Sequence, residues 1–429
     1  MKKITFTICA KNYIGLALAL EKSIRERNDD VDFFIFVADE FSAEEEIENL
    51  PDNIIVAKNT IGISQEQWQQ MSFKYDLTEF CTSIKPSCFK YLFERFKPDA
   101  CVYFDPDILV FNSLDTIYDE LEYKSIIVTP HITTIQDVYT GKLNERNLLY
   151  SGMFNLGFLA LKNDANAKKM LDWWEIRLED RCFQNMMENY FTDQKWMDFL
   201  PSFFPTQLLI SHDLGLNVAP WNFYEREIIN RDNSLFVKNR IKKEVNTVYP
   251  LTFVHFSGYN YKALIDGEII QGNIKNFEGY EDFKEIFDRY AKFIKQSDFS
   301  KYIKLGYSYN YFSNHVSISS VYRKLFRRLY EDKKIISNPF DAGNSFYLSL
   351  QGAKLINEKM QKTDKISIAT VDNVEQKTLM LNRFFKIVFK CIGTNKFFML
   401  IRLMRLYSKT ENHVYLIDKS YLKDFKIRN

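Results

Sequence analysis

The run Tyr103-Phe104-Asp105-Pro106-Asp107 sets two carboxylates one residue apart, behind one apolar stretch and ahead of another, Ile108–Phe111. Pro106 restricts the backbone between them and removes a competing N–H donor. Two such side chains can converge on one hard cation, which in turn can neutralise a diphosphate. Aspartate is also common in turns that end strands, and an isolated pair marks such a turn more often than a metal. The hydrophobic runs on both sides favour the metal here.

His255, within Phe253-Val254-His255-Phe256-Ser257-Gly258, ends another apolar run. An imidazole there can be a third metal ligand or a half-buried group with its hydrogen bonds satisfied. Gly258 permits close backbone approach to a phosphate, and Ser257 can donate a hydrogen bond. Asn155, in Phe154-Asn155-Leu156-Gly157-Phe158, suits either sugar hydroxyls or a turn. Thr192-Asp193-Gln194 reads as recognition of a sugar and its reacting carbon, or as a helix N-cap. Lys85 precedes Pro86 at a helix start, where its ammonium meets a phosphate or water. Asn217-Val218-Ala219-Pro220-Trp221-Asn222 lines an acceptor pocket or packs a loop around Trp221.

Alternating elements must carry these residues. Strand-like runs at Ile4–Cys9, Phe33–Val37, Ile54–Val56, Cys101–Phe104, Ser125–Thr129 and Gly157–Leu161 are separated by helical patterns near Tyr13–Glu26, Ala43–Asn49, Thr82–Phe96 and Ala165–Glu179. Thr252–Phe256 closes the series. The pattern predicts an α/β fold with a parallel sheet covered by helices on both faces. Ligands of such sheets sit beyond the carboxyl ends of the strands, where Ala10–Tyr13 and the Asp pair fall. Beyond about residue 265 Lys and aromatic residues dominate and helical periodicity takes over, so residues 1–265 are expected to form the α/β domain and 266–429 a mainly helical C-terminal region.

The chain has 429 residues, 46% of them apolar, with 38 Phe and 25 Tyr. That is enough for a large core, with rings to spare for stacking on bases or sugars. A net charge of +1 argues against a global nucleic-acid footprint. Six cysteines without CxxC spacing are expected to be reduced thiols. The opening MKKITFTICAKNYIGLALAL is interrupted by Lys11 and Asn12 and reads as a buried strand rather than a signal peptide. No apolar stretch reaches the roughly 20 residues of a membrane span.

Taken together, ICAKNY (8–13), the Lys85 helix, YFDPD (103–107), FNLGFLAL (154–161), TDQ (192–194), NVAPWN (217–222) and HFSG (255–258) resemble, in order and spacing, the bacterial GT-A glycosyltransferases. Among these they are similar to the retaining, family-8-type enzymes of surface-polysaccharide gene clusters. The resemblance implies a nucleotide-diphospho-sugar transferase (Rossmann-like) fold with a helical extension. It implies Asp105, Asp107 and His255 as ligands of Mn2+ (or Mg2+), and Ala10 and Asn12 as contacts to base and ribose. Lys85 would lie near the donor, Ser257 and Gly258 beside it, and Asn155, Asp193 and Gln194 around the donor sugar and reactive centre. Two departures stand out: Pro106 between the acids, and Lys11 where an acidic residue is common, which weakens the case for uracil more than the case for diphosphate.

The activity so implied is glycosyl transfer from a nucleotide diphosphate, a UDP-sugar in the first instance, to a glycan or lipid-linked acceptor. Retention would leave Asp193 and Gln194 holding the sugar, whereas inversion would need a base such as Asp193. The rival readings are a sugar nucleotidyltransferase, disfavoured by the lack of a Gly-rich loop near the first strand, and a non-catalytic carbohydrate-binding or scaffold subunit. No nucleic-acid partner is expected. Residues 379–429 carry eleven Lys/Arg against three Asp/Glu. Arg383–Tyr407 therefore reads either as a helix packing its stripe on the catalytic core or as a membrane-surface helix. The expected location is cytoplasmic, with peripheral contact at the inner face of the plasma membrane in the second case.

Overall fold

The computed structural model describes all residues except 43–44, 46–49, 136–144, 245, 335, 357–372 and 424–429. The helix expected at 43–49 thus lies almost wholly outside the described residues. The chain divides into two compact units: Met1–Gln65 with Leu77–Ser308, and Glu66–Asp76 with Tyr309–Asn429. Residues 266–308, grouped by composition with the C-terminal region, belong to the first unit.

The first unit is built on strands β1 (Lys3–Cys9), β2 (Val31–Val37), β3 (Ile54–Val56), β4 (Ala100–Phe104), β5 (Ile108–Val110), β6 (Ile126–Val128) and β7 (Phe158–Lys162). A short hairpin, β8 (Gln184–Asn185) and β9 (Tyr190–Phe191), is followed by β10 (Leu208–Ile210). Then come β11 (Arg226–Arg231), β12 (Ser234–Asn239), β13 (Val248–Pro250) and β14 (Phe253–His255). The main sheet runs β10-β6-β7-β4-β1-β2-β3. The strand β1 is central because its inner residues, Ile4–Ile8, are all β-branched or aromatic. Successive side chains meet opposite faces: Phe6 packs edge-on against Phe89 of the helix Lys85–Arg95, and Thr5 bonds Tyr118 of the helix Asp115–Tyr123. Helices therefore cover both faces, and the expected α/β class with a helical C-terminal region is found.

The expected sheet is corrected in three places. First, β7 runs antiparallel to β4 and β6, so the sheet is mixed. The consequence is functional: an antiparallel strand brings its start, not its end, to the carboxyl edge of its neighbours. Phe158 pairs with Phe104, which sets Asn155–Gly157 beside Asp105. Second, β14 does not join the main sheet but pairs antiparallel with β5. Third, the helix expected over Thr82–Phe96 is two helices, Leu77–Ser83 and Lys85–Arg95, because Pro86 lacks the N–H that continuation requires and begins a helix well.

The second unit is helical. Phe73 of the helix Gln65–Lys74 packs against Phe312, Phe326, Phe340 and Phe346. The Arg323 guanidinium donates to the carbonyls of Ser72, Phe73 and Tyr75, capping that helix at the end where a cation is favoured.

Candidate metal centre

Local turns and long-range pairing together assemble the cluster. After β4 the chain turns, with the Ile108 N–H donating to the Asp105 carbonyl at 3.1 Å. The Asp105 N–H donates to the Gly157 carbonyl at 2.8 Å. The β14–β5 register sets His255 opposite Ile108, and the Phe256 N–H reaches the Asp107 carbonyl at 2.8 Å. Beneath the site, Phe104, Phe158 and Phe253 form a ring cluster with centroids 5.0–5.6 Å apart. Each flanks one of the segments that supply Asp105, Gly157 and His255. Such pairs contribute roughly 0.5–1.5 kcal/mol each beyond area burial, so the ring cluster fixes the segments carrying the ligands.

One ligand atom each from Asp105, Asp107 and His255 lie within 4.8 Å of one another. His255 Nε2 stands 3.1 Å from Asp107 Oδ1 and 3.7 Å from Asp105 Oδ2. The imidazole is 4% exposed, whereas Asp105 and Asp107 keep 28% and 16% of their side chains open. The cluster is thus reached from the carboxylate side. Burial pushes the Asp105 carboxyl up, with Lys85 and His255 opposing. Burial also raises Asp107, but His255 and Tyr261 outweigh it and hold that carboxyl below its ordinary value. Burial lowers His255, and the two aspartates more than reverse it.

Every ligand is held from behind. The Tyr103 hydroxyl donates to Asp105 Oδ1 at 2.5 Å, and the Tyr261 hydroxyl to Asp107 Oδ2 at 2.9 Å. Asn155 Oδ1 accepts from Gly157 N–H and Asn217 Nδ2, both at 3.2 Å, and from His255 Nδ1 at 3.1 Å. Because Oδ1 is an acceptor, Nδ1 carries a proton and donates to it, so Nε2, which faces the carboxylates, is the nitrogen that would ligate a cation in place of its own bond to Asp107. That is how a metal-ligating histidine is commonly oriented. Two oxygen ligands and one imidazole with such supports fit a divalent cation.

Gly157 has no room for a side chain. A Cβ there would stand 2.5 Å from His255 Cε1 and 2.9 Å from Asn155 Oδ1. Gly157→Ala is expected to displace the imidazole, break its bond to Asn155 and lower Mn2+ affinity about tenfold or more. Titration followed by Mn2+ electron paramagnetic resonance reads this directly. Wild-type affinity in the variant would show that His255 does not ligate.

The other candidates separate into groups. Asn155 supports His255, as above. Lys85 Nζ bonds Asp193 Oδ2 at 2.5 Å and the Leu156 carbonyl at 2.8 Å, and lies 4.1 Å from the centre of the Tyr103 ring. Asp193 Oδ1 accepts from Thr192. Gln194 Oε1 accepts from the Leu156 N–H, and its Nε2 donates to the Ser151 carbonyl. Ala10 and Asn12 follow β1, and Asn12 Oδ1 is buried without a partner. Ser257 and Gly258 follow His255; Gln271 donates to the Ser257 carbonyl, and Gly258 has φ 74°. Trp221 sets its edge against the His255 ring at 5.3 Å, with its Nε1 unpartnered.

Sequence reasoning did not single out Gly157, Tyr103, Tyr261 or Asp39. The Asp39 carboxylate, at the end of β2, accepts from the N–H groups of Lys11 (2.8 Å) and Ser308 (3.2 Å). Burial pushes it up to about 6 against those bonds. Its signal was its place at a strand end beside β1. Tyr103 lay inside the motif itself, whereas Tyr261 follows Asn260, the N-cap of its helix, and carried no local signal. All six cysteines are free thiols; Cys391 is exposed and Cys81 half-buried.

No protein-family model matches the chain. The uncharacterized protein YfnF of Bacillus subtilis (strain 168) is 23% identical over 259 residues, 60% of this chain and 82% of its own. Among solved structures, galactosyltransferase LgtC in complex with donor and acceptor sugar analogues is 18% identical, covering 67% of this chain and 95% of that one, with a TM-score of 0.39. The WbbM bifunctional glycosyltransferase is 14% identical over 70% of this chain and 51% of its own, at a TM-score of 0.38. The glycosyltransferase GlyE of Streptococcus pneumoniae TIGR4 is 14% identical over 73% and 66%, at 0.33. At these TM-scores the likenesses are loose, and what the site does has to be read from its own residues.

Proposed function

We propose that the chain is a metal-dependent glycosyltransferase of GT-A, family-8 type. It would move a sugar from a nucleotide-diphosphate donor, a UDP-sugar first, to a glycan or lipid-linked acceptor of a surface polysaccharide, with retention. The observation that carries this is the Asp105/Asp107/His255 cluster, oriented by Tyr103, Tyr261 and Asn155 at the carboxyl edge of an α/β sheet. Asp105, Asp107 and His255 would hold the cation, and the mixed oxygen and nitrogen set suits Mn2+ better than Mg2+, which prefers oxygen alone. When bound, the cation neutralises charge on the departing diphosphate.

The chain's own groups do the rest. Ala10 and Asn12, in the segment after β1 whose Lys11 N–H is held by Asp39, would contact the base and ribose. Ser257 and Gly258, directly after His255, would lie beside the diphosphate. Both Asp193 oxygens are already engaged, by Lys85 and Thr192. Asp193 is therefore not free to act as the general base that inversion needs, which supports retention; with Gln194 it would hold the donor sugar.

The test is nucleotide release from a panel of UDP-, GDP- and dTDP-sugars. Mn2+-dependent release of UDP, abolished by EDTA and restored by added Mn2+, is the expected result. Silence across the panel with retained glycan binding would instead make the protein a carbohydrate-binding or scaffold subunit.

A further inference from the structure

The helix Val374–Tyr407 in the second unit is two helices joined at Gly393, whose φ of 77° and ψ of 171° suit only glycine. Phe397 meets Phe389 at 5.4 Å and Phe385 at 6.2 Å between ring centroids. Along a straight helix those pairs would lie about 12 and 18 Å apart. The chain therefore folds back on itself as a helical hairpin. Phe385, Val388, Ile392, Phe397 and Leu400 form its half-buried inner seam.

The outer faces are uncovered. No residue of the hairpin is buried, so the described residues of the second unit leave its apolar stripe uncovered. Leu379, Phe384, Ile387, Phe398, Met399 and Leu403 are between 46% and 67% exposed. Seven Lys/Arg and one acid, Glu375, are interspersed with them. A groove of about 430 Å³ is lined by Met399, Leu400, Leu403 and Leu406 together with Lys396 and Arg402.

We propose that this hairpin docks the protein on a bilayer containing anionic phospholipid. A helix apolar on several sides needs a partner, and the charge pattern chooses it. A second copy would bring like charges together, and protein interface cores are depleted of lysine. In a bilayer interface the rings and aliphatic side chains enter the acyl boundary while Lys and Arg reach lipid phosphates. The groove repeats that combination on a smaller scale, four apolar side chains with two cations. No described helix is long and apolar enough to cross a membrane, so the hairpin lies in the surface rather than spanning it. This inference stands independently of the transferase reading.

The experiment uses the full-length protein labelled at Cys391, the exposed thiol close to Gly393, with an environment-sensitive fluorophore. Flotation is compared on phosphatidylcholine vesicles with and without about 30% phosphatidylglycerol, a composition chosen for its anionic surface. The expected result is flotation with the anionic vesicles, falling with salt, together with a blue shift of the label. The variant Lys386→Gln/Lys390→Gln/Lys396→Gln/Arg402→Gln is expected to partition about a thousandfold more weakly. Phe384→Ser/Ile387→Ser/Phe398→Ser is expected to lose the blue shift. All these positions are exposed, so unchanged melting of both variants confirms that the fold is retained. Absence of charge-dependent flotation, or flotation without a shift at Cys391, would overturn the proposal. So would a lipid-free dimer that the Phe384 variant dissociates, which would assign the hairpin to a second copy.

Discussion

Asp107→Ala is expected to lower kcat/KM for the nucleotide-sugar by about a thousandfold or more while leaving the protein folded. Losing one preorganised charge-stabilising group from an active site typically costs about 3–4 kcal/mol, and a lost ligand also weakens the cation itself. Stability is expected to behave differently from activity. Asp107 is one of the causes that raise Asp105, so its removal relieves a like-charge contact. Tyr261 keeps its bond to the Phe256 carbonyl at 3.0 Å. The losses are the His255 and Tyr261 bonds to the carboxylate. These effects oppose each other, so the melting temperature should stay within about 3 °C of wild type, given a net change under roughly 1 kcal/mol. Mn2+ affinity, turnover and melting are measured on one preparation. A variant with wild-type turnover would sink the three-ligand site, whereas a variant that unfolds would show a structural role for the carboxylate.

Lys85→Met is expected to cost about 3–5 kcal/mol in the first unit. The side chains of Lys85 and Asp193 are 1% and 4% exposed. Desolvating both charges is offset by their contact, by the Leu156 carbonyl and by the Tyr103 ring. Removing the ammonium alone leaves a buried carboxylate that keeps, among the described residues, its side-chain bond from Thr192. Replacing both, as Lys85→Met/Asp193→Leu, should recover most of the stability, because a buried pair seldom outperforms apolar residues of similar volume. Turnover should not recover, since Asp193 would no longer orient the sugar. Denaturant melts on the two variants separate the cases. A Lys85→Met protein as stable as wild type would mean that the pair is not desolvated as described.

Much of the site could be read locally. The Asp pair, His255, the strand Ile54–Val56 and the helix beginning at Lys85 follow from apolar runs, β-branched residues and Pro86, all short-range properties. The mixed sheet was not legible, because Phe158–Lys162 reads as an apolar strand in either direction. Nor was the excursion of Glu66–Asp76 into the second unit. Its burial depends on Phe73 meeting rings more than 230 residues away. The C-terminal basic segment left two readings open; the hairpin has no buried residue, the observation from which docking on a bilayer is inferred.

By itself the sequence determined which groups are available: two acids in a tight turn, an imidazole at a strand end and a basic, aromatic C-terminal segment. Those depend on side-chain type and nearest neighbours. The tertiary structure decided what each group faces. Pairing of β14 with β5 aims His255 at Asp107, and the antiparallel start of β7 delivers Asn155 and Gly157 to the imidazole. Shifting either register by one residue would turn these side chains to the opposite face. Register is set by pairing between strands that stand far apart in the chain, which no window of local sequence contains.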